Sequence, residues 1–515
     1  MRMDRKWGIL ALSVGLTLGS TYTAGAQQDP EAVPMLSDQN KLLVTSEIQN
    51  DVQRFVNAQK RIDGQGKNIL ARITPDPSRQ WIYVDLDGAF LPKGRSEMGE
   101  DLGQLIRDIQ NHVVDLLTGI VEFKAVVIRV DGKRLDEIYP PRYKSKQRAR
   151  ATSQLTTPVD GLVVLSPSHG KYFHYGSNKW EYQRPLYVNS TVVHEDTITP
   201  GYTSMLQSLL TLRSPTHATS IRQTRDIGNT AIDPNSGLKW AELAARYYLA
   251  RLYPNETGMW NQYPNGKPNR ADLREYDDDI AVRPNFANFL NAETMISIHT
   301  DGSDTNPSAR GLSVFTNLND PKSVALAESV KCYVQEQIKQ RPDYPTFPIR
   351  SGPNDGVGYG EVREADMETV LVEVGFHSNA EDAALLQTTE FRTISMRGIE
   401  KGYRMYREGK ACIPFAITSV GPAAGKSPGK VPVAFTYVGY PQGAMKADVE
   451  IVKCAPGNTC NGAKGLPVTL ADGKLSWNFT CGNVGANATH TVRTKLYDAD
   501  GVFAKSVESA VTCQV

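Results

Sequence analysis

Hydrophobic and polar positions fall into three patterns along the chain. Between Lys41 and Tyr139, "WIYVDLDGAFL" and "FKAVVIRVDGKRL" read as short strands that run into turns, and "MGEDLGQLIRDIQNHVVDLLTGI" between them has helical apolar spacing. This predicts a small α/β unit over 41–139, with His112 as a structural residue of its helix. From 161 to 412, the apolar runs "GLVVLSPSHG", "ETMISIHTDG", "GLSVFT" and "TVLVEVGFHSN" each lead into small or polar residues. Helical spacing recurs around them in "YTSMLQSLLTL", "WAELAARYYLARL", "SVALAESVKCYVQEQI" and "FRTISMRGIEKGYRMYR". Such alternation predicts an α/β unit with a central, mostly parallel sheet flanked by helices, and functional sites of such sheets gather beyond the strand C-termini. Over 431–515 a series of short strands divided by turns predicts a β-sandwich of immunoglobulin or fibronectin type, with Trp477 in its core.

The boundaries follow from composition. "MRMDRKWGILALSVGLTLGSTYTAGAQQDP" has a basic start, a short apolar run and a small-residue "AGA", so 1–26 is expected to be an export signal and 27–40 a flexible segment. No later stretch approaches the ~20 apolar residues of a membrane span. A soluble, exported protein is therefore expected, periplasmic or extracellular, with no stable span after cleavage. "PPRYKSKQRARATSQLTTP" predicts a basic, Pro-containing linker over 140–160, and "GPAAGKSPGK" a flexible Gly/Pro linker over 413–430.

A formal charge of +1 with 22% charged residues gives no case for a nucleic-acid partner. Six cysteines in an exported chain suggest disulfides, the simplest pairing being Cys332 with Cys412 and two bridges in the tail. None has the spacing of a redox or thiolate-zinc motif.

Four polar residues sit where a core does not need them. His169 follows "VVLSPS", Glu195 lies in "STVVHEDT", His299 ends "MISIHT" and Glu373 interrupts "TVLVEVGF". Two imidazoles and one carboxylate make a sound zinc set that leaves a fourth position open for water, the mark of a catalytic site. A carboxylate between Val372 and Val374 is costly unless paired or functional, which suits Glu373 to proton transfer. His194 and Glu181 stand as rivals to Glu195. There is no G-x-S-x-G elbow and no base-orienter arrangement for a serine nucleophile near His169.

The segments "SPSHG", "HED", "TRD", "RPNFANFLNAETMISIHTDG", "ARGLSVF" and "TVLVEVGFHSNAEDAALL" occur in this order over about 161–405. Together they resemble the zinc-dependent N-acetylmuramoyl-L-alanine amidases that cleave bacterial peptidoglycan. The resemblance implies Zn2+ as cofactor, His169, Glu195 and His299 as its ligands, and Glu373 as the catalytic carboxylate. It also matches Arg225, Asp226 and Arg283 to the family's TRD turn and to its arginine before the SIH strand. Asp301 replaces the family's Asn after the third ligand and adds a charge near the metal. His377 and His174 adjoin ligand motifs and either line the substrate groove or face solvent. Ser166 and Ser168 stand where the family has Asp and Gly, which removes one orienting carboxylate. An insertion over about 231–280 carries Trp240, Tyr247, Tyr248, Tyr253, Trp260 and Tyr263, which suit a groove wall or a lid moved by an activating protein. The expected partner is peptidoglycan. Two other readings remain open: a zinc peptidase acting on another wall or peptide amide, and a noncatalytic wall-binding protein.

Overall fold

The computed structural model describes residues 33–41, 44, 46–141, 158–184, 193–267, 270–304 and 306–515. The signal expected at 1–26 and most of the linker expected at 140–160 lie outside them. Among the described residues no helix is long and apolar enough to cross a membrane.

The N-terminal unit opens with helix α1 (Ser46–Ala58) and continues through strands β1 (Ala71–Asp76) and β2 (Trp81–Leu86), helix α2 (Glu100–Leu117), and strands β3 (Ala125–Val130) and β4 (Lys133–Arg134). Its sheet runs β1-β2-β3-β4, and β2 pairs parallel to β3 because α2 is the crossover between them. Leu102, Leu105, Ile106, Ile109 and Val113 form the buried stripe of α2 and pack with Ile82, Val84, Val126 and Ile128 of the sheet. The segment expected to be flexible at 27–40 is tied down near its end. Leu36 is buried, and its N–H donates to Glu122 O at 2.7 Å.

The second unit is built on six strands in the order β11-β10-β12-β9-β5-β8. These are β5 (Val159–Ser166), β8 (Ser220–Gln223), β9 (Ala292–Asp301), β10 (Ser313–Thr316), β11 (Asn354–Asp355) and β12 (Glu368–Phe376); a separate hairpin joins β6 (Tyr172–His174) to β7 (Lys179–Glu181). β8, β5, β9 and β12 pair in parallel, and β10 runs antiparallel to β12. Alternate residues of β5 serve opposite faces: Val163 and Leu165 enter one core, Leu162 and Val164 the other. Helices α3 (Glu195–Arg213), α5 (Pro321–Lys339) and α6 (Thr389–Arg407) cover the first face, and α4 (Arg274–Phe289) the second. Gly398 and Gly402 let α6 lie directly on α5, since a Cβ at either would meet Val334 Cα or Val330 Cα at 2.5 Å. The insertion is structured, and its Tyr248, Tyr253 and Trp260 pack against the α4 core.

Beyond α6, two sheets enclose one core. The order is β13-β15-β19-β18 in one and β14-β21-β20-β16-β17 in the other. The strands are β13 (Ala416–Val420), β14 (Ala423–Lys426), β15 (Gly429–Val438), β16 (Lys446–Lys453), β17 (Ala463–Pro467), β18 (Thr469–Ala471), β19 (Lys474–Cys481), β20 (Ala488–Tyr497) and β21 (Val507–Gln514). Trp477 is buried between the sheets. The stretch expected as a linker at 413–430 is instead β13, β14 and the start of β15. Ala423 pairs with Val511 of β21, and Gly425 is small because the Val431 side chain lies over it. Disulfides join Cys332 to Cys412, Cys454 to Cys460 and Cys481 to Cys513.

One carboxylate of this last unit reaches into the second. Asp500 is buried, accepts from Arg213 Nη1 at 2.7 Å and Nη2 at 2.8 Å, and lies 3.3 Å from Arg397 Nε. Burial alone would raise its carboxyl, but the Arg213 bonds and charge, with Arg397, hold it below its ordinary 3.8. A depressed folded-state value means that the stabilisation is present above the unfolded value and lost as pH falls through the folded one. Asp500→Asn is expected to cost about 2–3 kcal/mol at pH 7. In urea unfolding the gap between wild type and variant should close as pH drops below about 4; a gap independent of pH would count against an ionised Asp500.

Candidate metal centre and active site

β5 ends at Ser166, and the chain turns through Pro167 and Ser168 to present His169 beyond the strand C-terminus. Ser168 has φ +56°, a left-handed conformation that a side chain adopts at a cost of about 1 kcal/mol. Its hydroxyl donates to Glu195 Oε1, so the residue that bears the strain also orients Glu195. Glu195 is the first residue of α3, and His299 lies near the C-terminal end of β9. All three side chains are buried. Glu195 Oε1 is 3.9 Å from His169 Nε2 and 2.8 Å from His299 Nδ1, and one ligand atom from each of the three lies within 4.8 Å of the others.

The donor set fits a metal ion. His169 Nδ1 is bonded to Gln183 Oε1, while Nε2 is buried without any hydrogen-bond partner, a costly state for an imidazole nitrogen unless something else meets it. Burial, then the charges of Arg184 and Arg283, hold the His169 imidazolium well below 6.5, so the ring is neutral and ready to ligate. Burial also opposes charge on Glu195, but its His299 bond and charge, with Arg184, hold the carboxyl at about 2.

Glu361, on the one-turn helix Gly360–Arg363, had no place in the sequence reading. Its Oε2 lies 2.5 Å from His299 Nε2, and its Oε1 accepts from Ser166 Oγ at 2.5 Å and Arg283 Nη1 at 3.1 Å. Burial would raise the Glu361 carboxyl, yet the His299 and Arg283 charges hold it at about 2. Burial would lower His299, but Glu361 and Glu195 together raise it to about 10. The orienting carboxylate that Ser166 was expected to leave missing thus comes from another element. Nothing in "GYGEVRE" distinguishes Glu361 from a solvated helix residue, because its partners are 62 to 195 positions away.

Glu373 pairs with His299 in the parallel register of β12 and β9, and both line one cavity of about 300 Å³ with His169 and Glu195. Burial, then the Asp301 charge, raises the Glu373 carboxyl well above its usual range. Asp301 lies on the same wall, accepts from Asn111 Nδ2 at 2.9 Å, and is raised by burial to about 6. Arg283 is fully buried, bonded to Asp279 and Glu361, with Nη2 2.9 Å from His169 Nδ1. Arg225 is buried against Leu243 O and the His169 carbonyl, bracing the turn that carries His169. His377 lines the cavity, its Nδ1 2.9 Å from Thr300 Oγ1.

Other expected residues lie elsewhere. His174, offered for the groove, caps the β6–β7 turn, where its Nδ1 accepts from Ser177 N at 3.1 Å; it is not on the cavity wall. Glu181 accepts from Ser177 Oγ in that hairpin, and His194 stacks on Tyr182 with ring centroids 4.3 Å apart, so neither rival joins the three donors. None of the six insertion aromatics lines the cavity; Gln183, Arg184 and Tyr276 do. Tyr247 instead turns its hydroxyl to Glu275 and to Phe173 N.

Residues 266–403 match the family model for N-acetylmuramoyl-L-alanine amidase, a stretch that contains His299, Glu361 and Glu373. No curated protein matches the chain in sequence. Among solved structures, the catalytic domain of CwlV, an amidase from Bacillus (Paenibacillus) polymyxa var. colistinus, is 18% identical over 48% of this chain and 99% of its own, with a TM-score of 0.31. The CwlD amidase from Clostridioides difficile, solved with the GerS lipoprotein, is 18% identical over 48% of this chain and 99% of its own, with a TM-score of 0.33.

Removing the charge from Glu361 tests its hold on His299. Glu361→Gln is expected to weaken affinity for a divalent transition ion by about 10–100-fold, read by chelator competition, while far-ultraviolet circular dichroism stays unchanged. Unchanged affinity would show that His299 needs no such partner.

Proposed function

From the match of residues 266–403 to the N-acetylmuramoyl-L-alanine amidase family model, we propose that the chain is a zinc hydrolase that cleaves the amide between N-acetylmuramic acid and L-alanine in bacterial peptidoglycan. The observation that carries this reading is the shared cavity: His169, Glu195 and His299 converge on one point, and Glu373 enters the same space from the neighbouring strand. His169, Glu195 and His299 would hold the zinc ion, which when bound supplies a Lewis acid for the carbonyl and lowers the pKa of a water molecule.

The protein's own groups do the rest. Gln183 fixes the His169 ring through Nδ1, and Glu361 fixes His299 through Nε2, so each imidazole keeps its other nitrogen for the metal. The Glu373 carboxylate takes the proton of the attacking water and returns it to the alanine nitrogen as the C–N bond breaks. Burial raises its proton affinity, which suits a base that must also act as an acid near neutral pH. The products are a glycan bearing a free lactyl carboxylate and a peptide with a free L-alanine amino group. Three disulfides fit an oxidising compartment outside the cytoplasm. The C-terminal pair of sheets fits an immunoglobulin- or fibronectin-like sandwich attached to this enzyme.

The test is incubation of the zinc-loaded protein with intact peptidoglycan and identification of the new termini by mass spectrometry. Wild type should release peptides beginning with L-alanine, and Glu373→Gln should do so about 10²–10⁴-fold more slowly with zinc retained. New termini inside the peptide would favour a peptidase, and no cleavage by folded, zinc-loaded protein would favour a wall-binding role.

A further inference from the structure

The cavity that holds the metal donors is not made by the second unit alone. Gln104, Arg107 and Asp108 of α2, in the N-terminal unit, form part of its wall. Resting on the amidase reading, we propose that α2 is a specificity wall of the active site, where Gln104 and Asp108 contact the peptide part of the substrate.

The wall is held firmly. Arg107 Nη1 donates to Gly358 O at 2.5 Å, and its guanidinium lies 4.7 Å from the centre of the Tyr359 ring. Buried Gln110 donates to Asp355 O at 2.9 Å, and Asn111 to Asp301 Oδ2 at 2.9 Å. Asp115 accepts from Arg350 Nη1 at 2.6 Å and Asn306 Nδ2 at 2.7 Å. At Gly103 a Cβ would meet Gly358 O at 2.5 Å, so the helix rests against the backbone that leads into Glu361. These contacts are buried or half-buried and join two units far apart in sequence. A mere tether would not require such an interface.

Gln104 Oε1 accepts from the anchor Arg107 Nη2 at 2.7 Å, and the bonds described for Gln104 and Asp108 stay within α2. The two residues lie one turn apart on the cavity side of α2, and Gln104 Nε2 donates to Asp108 Oδ1 at 2.8 Å. Gln104 is exposed, whereas Leu105, Ile106 and Ile109 beside it carry the packing of the helix. Neither polar side chain is needed for the N-terminal core. Asp301 and the exposed Asp304 line the same cavity as Asp108. Ionised carboxylates only accept hydrogen bonds. Sugar hydroxyls can donate to them as peptide N–H groups do, but grouped carboxylates also attract a cation, and a peptide can carry an ammonium centre where an N-acetylated glycan carries none. This favours the peptide on the α2 side of the scissile amide.

The full-length zinc-loaded protein is compared with Gln104→Ala/Asp108→Ala and with Asp108→Asn, on muramyl substrates with a peptide of three or more residues and on muramoyl-L-alanine. On the long peptides the variants should raise KM about fivefold, with kcat within about twofold. On muramoyl-L-alanine the difference from wild type should shrink to less than about twofold, because the lost contacts lie beyond the first residue. Melting temperatures report that the variants fold. Cleavage by wild type with variants that match it on every substrate, or a loss that follows glycan length, overturns the wall alone. A wild type that releases no peptide from any substrate overturns the amidase reading and the wall with it.

Discussion

The parallel pairing of β9 with β12 is the constraint on which the site depends. Seven register pairs link them, and one sets Glu373 beside His299. A slip of β12 by one residue would turn Glu373 to the opposite face while His299 stayed in place, so the hydrophobic residues around them lock the chemistry in place as firmly as they lock the fold. Val372 and Val374 on one strand and Ile298 on the other commit their faces to the core. β5, pairing on the far edge of β9, then brings Ser166 to the level of Ser297 and sets the turn that carries His169.

Holding that register buries a dense set of charges, and several of them answer one another. Arg283 stands between Asp279 and Glu361, His299 between Glu361 and Glu195, and Glu195 between His299 and Arg184. An unpaired member of such a chain would be expensive, which makes the network specific as well as stable. The two serines that depart from the amidase pattern belong to it: Ser166 donates to Glu361 and Ser168 to Glu195.

The flanking units are locked to the same frame. Asp500 inserts among Arg213 and Arg397, on two of the helices that cover one face of the sheet, while α2 lies against the segment 354–358 that leads to Glu361. The site is therefore supported from the N-terminal side by a helix that lines the cavity and from the C-terminal side by a charge that braces the helices behind it.

Local patterns in the sequence determined the alternation of strands and helices, the strand ends bearing His169 and His299, and the costly carboxylate at Glu373, because each is a matter of spacing within a few residues. Composition misled at 413–430, where Gly425 reflects a side chain packed above it rather than a free chain, and the sequence left His174 open between groove and solvent, a choice its hairpin decides against the groove. Only the tertiary structure decided that Glu361 bonds Ser166 and His299, that Tyr248, Tyr253 and Trp260 of the insertion pack against the α4 core, and that α2 borders the cavity. The physical reason is common to all three. Each depends on side chains brought together from distant parts of the chain, where a hydrogen bond or a packed face is defined by distance in space and leaves no periodicity in the sequence.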